Sequence, residues 1–194
     1  LFVSASWQNE PGYHLFYITQ EVSMTTDTVK LLARYNAHVN SEMNAIISGL
    51  TPAGWEKDLG GYFKSIRLLC SHIYISDMAW MKRFGTLRPF ESLKHPAIKK
   101  EFTRDSAPFA GIAEYMMMRS GLDSIIVSFA DEITGDDLGT SLHYRNWKGE
   151  EQNRNVGGLI MHVFNHQTHH RGMVSLYLDL LGIENDFSNL AALV

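Results

Sequence analysis

The segment from Val156 to Leu181, VGGLIMHVFNHQTHHRGMVSLYLDLL, constrains this chain more than any other. Apolar residues recur at helical spacing through Leu159, Val163, Met173, Tyr177 and Leu180, and the same steps of three and four land on His166 and His170. Two imidazoles therefore stand in the stripe that a helix turns toward its core. A buried imidazole needs partners for its ring nitrogens, and two at i,i+4 share one helix face, where they can converge on a single ion. His162, His166, His169 and His170 all fall within an arc of about 100° on an ideal helix, so proximity alone does not choose among them. His162 and His170 lie about 12 Å apart along the axis, too far to share an ion easily, and His169 diverges from its neighbour His170. The stripe selects His166 and His170 as ligands and leaves His162 and His169 flanking them; hydrogen-bonded core histidines are the competing reading.

Composition bounds the rest. A chain of 194 residues, 45% hydrophobic and 20% charged, is ordinary globular material of one-domain size. No apolar run reaches the roughly 18 residues of a membrane span, which argues against an integral membrane protein. A net charge of -4 without a sustained basic stripe argues against nucleic-acid binding. Cys70 is the only cysteine, which excludes an internal disulfide, suits a reducing, cytoplasmic setting and reads as a small core residue. Residues 1–23 lack the basic start, apolar run and cleavage site of a secretory signal. They read as an extension without assigned function, and residues 24–194 as the domain, with Thr26 or Asp27 capping its first helix.

From Asp27, Leu32, Tyr35, Val39, Met43, Ile46 and Leu50 mark an amphipathic helix closed by Gly49, Pro52 and Gly54. Asn36, Asn40, Glu42 and Asn44 lie off this stripe, on a solvated or helix-contacting face. A second helix is predicted from Gly61 to Phe84, with Phe63, Ile66, Cys70, Ile73, Asp77, Trp80 and Phe84 as its stripe. Asp77 in that stripe demands a partner or a polar pocket, because an unpaired buried carboxylate is costly. His72, rotated from Asp77 by about 140°, reads by itself as a boundary or surface histidine. The connection Leu87 to Arg104 carries Lys94, Lys99, Lys100 and Arg104 and reads as a solvated loop or short helix. A third helical pattern starts at Ala107 and runs through Phe109, Ile112, Met116, Ile126 and Phe129, with Gly121 inside it and Met116 to Met118 as packing material. Residues Asp131 to Glu151, with LHYRNW between glycines, predict an irregular insertion or short hairpin before the last helix.

Three of these segments, LLARYN, SHIYISDMAW and NHQTHHRG, together resemble the DinB/YfiT-like superfamily of metal-dependent proteins. The resemblance covers Thr25 to Leu181, and its most specific part is Asn165 to Gly172. It implies an all-α fold, a four-helix bundle with a crossover connection between the second and third helices, and a homodimer. It also implies that one histidine of the second helix joins two spaced by four on the last. Matched motif to motif, these fall on His72 and on His166 and His170, the pair that the stripe selects independently. Where the family often has Gln after Arg-Gly, this chain has Met173.

Three neutral imidazoles around a divalent ion leave an open coordination position, which is the catalytic rather than the closed structural arrangement. Zinc or nickel suits such ligands, with iron as an alternative. In one reading, which superfamily members suggest, the metal deprotonates a low-molecular-weight thiol that attacks an electrophile, and no protein carboxylate is needed as base. In a second, a hydrolase uses metal-activated water; HQTHH resembles the HExxH protease helix, but Gln167 replaces the general base, so Asp77 would have to serve. Arg171, beside the ligand His170, would meet an anionic small-molecule substrate or pair with a carboxylate across the bundle or dimer. Asp77 and Arg171 are thus the catalytic candidates. A non-catalytic metal-binding protein of the stress response is the third reading.

Overall fold

The first helix begins at a threonine one residue before the predicted caps: the hydroxyl of Thr25 accepts the N–H of Thr28 and opens α1, Thr26–Ile47. The computed structural model describes residues 24–103, 106 and 108–194. The extension read over residues 1–23, Arg104 of the basic connection and Ala107 lie outside the described residues. A short α2, Pro52–Glu56, follows, and then α3, Ile66–Phe84. The predicted start of α3 at Gly61 is too early. Gly60 takes a positive φ of 82°, and the helix starts only where the Ser65 side chain accepts the N–H of Leu68. The connection after α3 holds two 3-10 turns, Ser92–Lys94 and Pro96–Lys99, which bury Leu93 and Ile98. Helix α4 spans Ile112–Glu132, so Phe109 precedes it, and Gly121 is carried inside it without a break.

Among the described residues the fold is all-α apart from one ribbon. After α5, Gly135–Gly139, strands β1, Ser141–Arg145, and β2, Glu151–Asn155, pair antiparallel from Ser141 opposite Asn155 to Arg145 opposite Glu151. Of the two readings of Asp131 to Glu151, irregular insertion or short hairpin, the structure has the hairpin, and its second strand runs on to Asn155, beyond that segment. Helix α6, Val156–Leu180, follows, and the segment after it adds Phe187 to the core. Among the described residues no helix is long and apolar enough to cross a membrane.

Helix α1 packs against α4 and α6, and α3 packs against α6 and α4. Each long helix buries a stripe in steps of three and four: Val29, Ala33, Asn36, Asn40, Met43 and Ile47 on α1; Cys70, Ile73, Asp77, Trp80 and Phe84 on α3; Tyr115, Arg119, Leu122, Ile126 and Phe129 on α4; and Ile160, Val163, Gln167, Arg171, Val174 and Leu178 on α6. Asn36 and Asn40 thus belong to the buried stripe of α1. On α6 the stripe is turned by one residue from the predicted one, and Leu180 is 56% exposed. Helix α6 is apolar around much of its circumference and has neighbours on several sides, so more than one stripe fits its sequence. Met116 and Met118 pack on the core, whereas Met117 is 69% exposed. Cys70 is fully buried, and burial pushes its thiol up to about 12.

Polar residues in the four stripes meet in one closed ring. Gln167 donates to Asp77 Oδ2, which also accepts Arg119 Nη1 at 2.6 Å. Arg119 forks onto Asp123, with Nη2 to Oδ1 at 2.7 Å and Nε to Oδ2 at 3.1 Å. Asn40 and Asn36 donate to Asp123 Oδ1 at 2.9 and 3.3 Å. Arg171 Nη1 donates to Asn36 Oδ1 and, at 3.4 Å, to Gln167 Oε1, which closes the circuit. Two guanidiniums and two carboxylates make the ring neutral, and such groups are tolerated in an interior only when paired and hydrogen-bonded.

A second clamp ties the base of the hairpin to the end of α3. Arg88 donates to Asp137 from Nε and Nη2 at 2.9 and 2.8 Å, and Nη2 also reaches the Glu132 carbonyl at 2.8 Å. Asp137 completes a capping box with Thr134 at the start of α5. The hydrogen bonds from Arg88 hold the Asp137 carboxyl down to about 2, against an ordinary 3.8.

Two stability measurements follow. Arg119→Ala leaves two carboxylates buried without their cation and is expected to lower the unfolding free energy by about 3–5 kcal/mol; an unchanged urea midpoint would show the ring to be dispensable. Because the folded carboxyl of Asp137 titrates below the unfolded one, its stabilisation is present above about pH 4 and is lost as pH falls toward 2. Asp137→Asn should therefore be less stable than the parent at neutral pH and show a smaller loss of melting temperature between pH 4 and pH 2.

Candidate metal centre

Helix α3 presents His72 and α6 presents His166 and His170 to one another. His72 Nε2 lies 3.1 Å from His166 Nε2 and 3.1 Å from His170 Nε2, and the three ligand atoms all lie within 4.8 Å of one another. His170 is buried, and His72 and His166 are half-buried. The Phe63 ring lies over His72 at 4.5 Å and edge-on to His170 at 5.5 Å, closing one side. That roof is anchored from α6, because the Tyr177 hydroxyl donates to the Phe63 carbonyl at 2.7 Å. Gly61 permits the approach: a Cβ there would stand 2.0 Å from the Tyr177 oxygen.

Burial lowers the pKa of His166 to about 4, with neighbouring His72, His162 and His169 adding to the shift. His170 is lowered to about 4 in the same way, first by burial and then by His166 and His169. Both imidazoles are neutral at pH 7, as ligation requires. Nitrogens held about 2.0–2.1 Å from one ion sit about 2.9 Å apart at octahedral angles and about 3.4 Å apart at tetrahedral ones. The observed 3.1 Å lies between these, so the three imidazoles could hold a divalent ion. His170 Nδ1 is buried without a hydrogen-bond partner, so ring packing against Phe63 and His169 sets its orientation.

The other sequence-selected residues fall outside this group. His162 is exposed and packs edge-on to Trp80 at 5.4 Å, and His169 is exposed beside His170. Asp77 and Arg171 are buried in the polar ring, on the inner side of the helices that carry the ligands. Burial pushes the Asp77 carboxyl up to about 6, against the opposing pull of Arg119. Gln167 and Arg171 follow His166 and His170 by one residue each, so the ring sets the rotation of α6 that aims both imidazoles at α3. Arg119 and Asp123 are functional residues that no motif marks, although Arg119 falls between Tyr115 and Leu122 in an apolar stripe, the same signal that marks Asp77. Phe63 has no such signal, because it lies before α3 rather than on it.

Of the three imidazoles, His72 borders a cavity on the hairpin side. This cavity of about 300 Å³ is lined by His72, Ile75 and Ser76 of α3 and by Asn146, Trp147 and Lys148 of the turn between β1 and β2.

Comparison with known proteins agrees with the resemblance carried by the three motifs. Residues 24–190 match the DinB family. The chain is 25% identical over 157 residues to Protein DinB of Bacillus subtilis (strain 168), an alignment covering 78% of this chain and 84% of that protein. No solved structure matches the chain.

Elemental analysis of the purified protein tests the centre. His72→Ala, His166→Ala and His170→Ala are each expected to remove or greatly weaken stoichiometric divalent metal, while His162→Ala leaves the content nearly unchanged. Metal retained in the first three, or lost in the fourth, would place the ligands elsewhere.

Proposed function

The chain belongs to the DinB family, and on that premise we propose that it is a divalent-metal-binding protein that activates a small thiol for transfer to an electrophile. The observation that carries this reading is the convergence of three imidazole Nε2 atoms, two of them on rings held neutral by burial, beside a cleft. A zinc or nickel ion held by His72, His166 and His170, with iron as the alternative, would supply Lewis acidity that brings a thiol to its thiolate at neutral pH.

The remaining work falls to the chain itself. Phe63 keeps water from one side of the centre, and the cleft beside His72 admits substrate from the other. Asp77 is already engaged by Arg119 and Gln167, which favours thiol transfer over hydrolysis, because a hydrolase would need a carboxylate free to manage protons. In this reading Asp77 and Arg171 are positioning residues that hold the ligand helices in register. In this reading the four long helices make up a bundle whose crossover sets α1 beside α4 and α3 beside α6, and the family resemblance is what supports association of two copies as a homodimer.

Cobalt-substituted protein provides the test. Titration with low-molecular-weight thiols should raise a thiolate-to-cobalt charge-transfer band and shift the visible spectrum, and His166→Ala should abolish both. A bound cobalt ion whose spectrum ignores saturating thiol would overturn thiol activation and leave hydrolysis or a non-catalytic role.

A further inference from the structure

A groove runs from the imidazole centre along one face of α3. His72, Ile75, Ser76, Ala79, Lys82 and Arg83 succeed one another in steps that keep to that face, about 16 Å of helix from first to last. The cavity beside His72 and a second of about 200 Å³ farther along α3 share Ile75 and Trp147 as walls, so the two meet beneath the hairpin turn. Trp147 is half exposed there, a large indole at the tip of a turn.

The groove is electropositive in a chain whose net charge is -4. Its charged lining is Lys82, Arg83, Glu101 and Lys148. Lys82 and Glu101 neutralise each other at 2.7 Å. Arg83 is surrounded by the rings of Trp80, Tyr144 and Trp147, at 4.7, 5.1 and 5.7 Å from its guanidinium carbon, and donates to the Arg145 carbonyl. Among the described residues it has no carboxylate partner within salt-bridge distance, and neither has Lys148. Of the nearby acids, Glu151 pairs with Arg145, whereas Glu150 accepts from the neutral Asn146 amide at 2.7 Å and keeps its charge, without an ion pair to either cation. A half-buried guanidinium caged by aromatic rings, with a second uncompensated cation at the mouth, is suited to receive a carboxylate.

We infer that this groove is the binding site of a small carboxylate-bearing molecule, with its carboxylate on Arg83, its middle against Trp147 and its opposite end at His72. Only the assignment of the reacting end to His72 rests on the proposed metal centre. The hairpin is then the specificity element: Trp147 and Lys148 select length and charge, while α3 supplies both the ligand His72 and the anion receptor Arg83 on a single rigid rod.

Calorimetric titration of the full chain with S-methylglutathione, a dicarboxylate tripeptide without a free thiol, tests this in metal-loaded and metal-stripped protein alike. The probe should bind both forms, and Arg83→Met should weaken it by about tenfold or more, the loss of one charged hydrogen-bonding partner. Lys148→Glu, on an exposed turn that tolerates change, should weaken binding in the same direction, and the diethyl ester of the probe should bind far less tightly than the acid. No binding, equal affinity for acid and ester, or affinity indifferent to both substitutions would overturn the proposal. Arg83-dependent binding by a chain that takes up no metal would keep the groove and discard the metal-centre reading instead.

Discussion

The polar ring across the four long helices is the constraint on which the rest of the structure depends. Asp77, Arg119, Asp123, Arg171, Gln167, Asn36 and Asn40 come from α1, α3, α4 and α6, and nearly every charge among them is hydrogen-bonded by a partner on another helix. Apolar stripes tolerate sliding and rotation, because one methyl contact resembles another. Buried charges do not: a shift of one residue on any of the four helices would leave a guanidinium or a carboxylate unpaired in a medium where that costs several kcal/mol. The ring thus contributes register more than net stability.

That register reaches the candidate metal centre through α6. Gln167 and Arg171 face the ring, and His166 and His170, one residue earlier in each case, face α3 about 100° away around the helix. Fixing the first pair fixes the second. On α3 the same relation holds less directly, since Asp77 enters the ring while His72, more than a turn earlier, points along the flank toward α6. Two rigid helices locked by one set of charges present three imidazoles at ligand spacing, and the Phe63 roof and the hairpin turn complete the surroundings from segments whose positions are set separately, by Tyr177 and by the Arg88–Asp137 clamp.

Much of this is legible in the amino-acid sequence alone. Helical periodicity places α1, α6 and the end of α3 to within a few residues, and the alternation in LHYRNW marks β1, whereas EQNRN of β2 has no apolar residue to mark it. Asp77 in an apolar stripe announces a buried partner. The stripes on α4 and α6 were harder to read, because both helices are apolar on several sides and the pattern admits competing faces. Asn36 and Asn40 illustrate the same ambiguity from the other direction. Asparagine is so often solvated that its place in the sequence Val29, Ala33, Asn36, Asn40, Met43 passes for a break in the stripe rather than part of it.

By itself, the sequence determined the local events: which long segments are helical, where glycine and proline close α1 and α3, and that His166 and His170 share a face at i,i+4. Those follow from the geometry of a single helix and need no knowledge of its neighbours. Only the tertiary structure decided which carboxylate meets which guanidinium, that Phe63 covers the imidazoles, and that the hairpin turn lies over the face of α3 leading from His72 to Arg83. Such contacts join residues tens of positions apart, and the chain's one-dimensional pattern carries no term for the packing that brings them within a few ångströms.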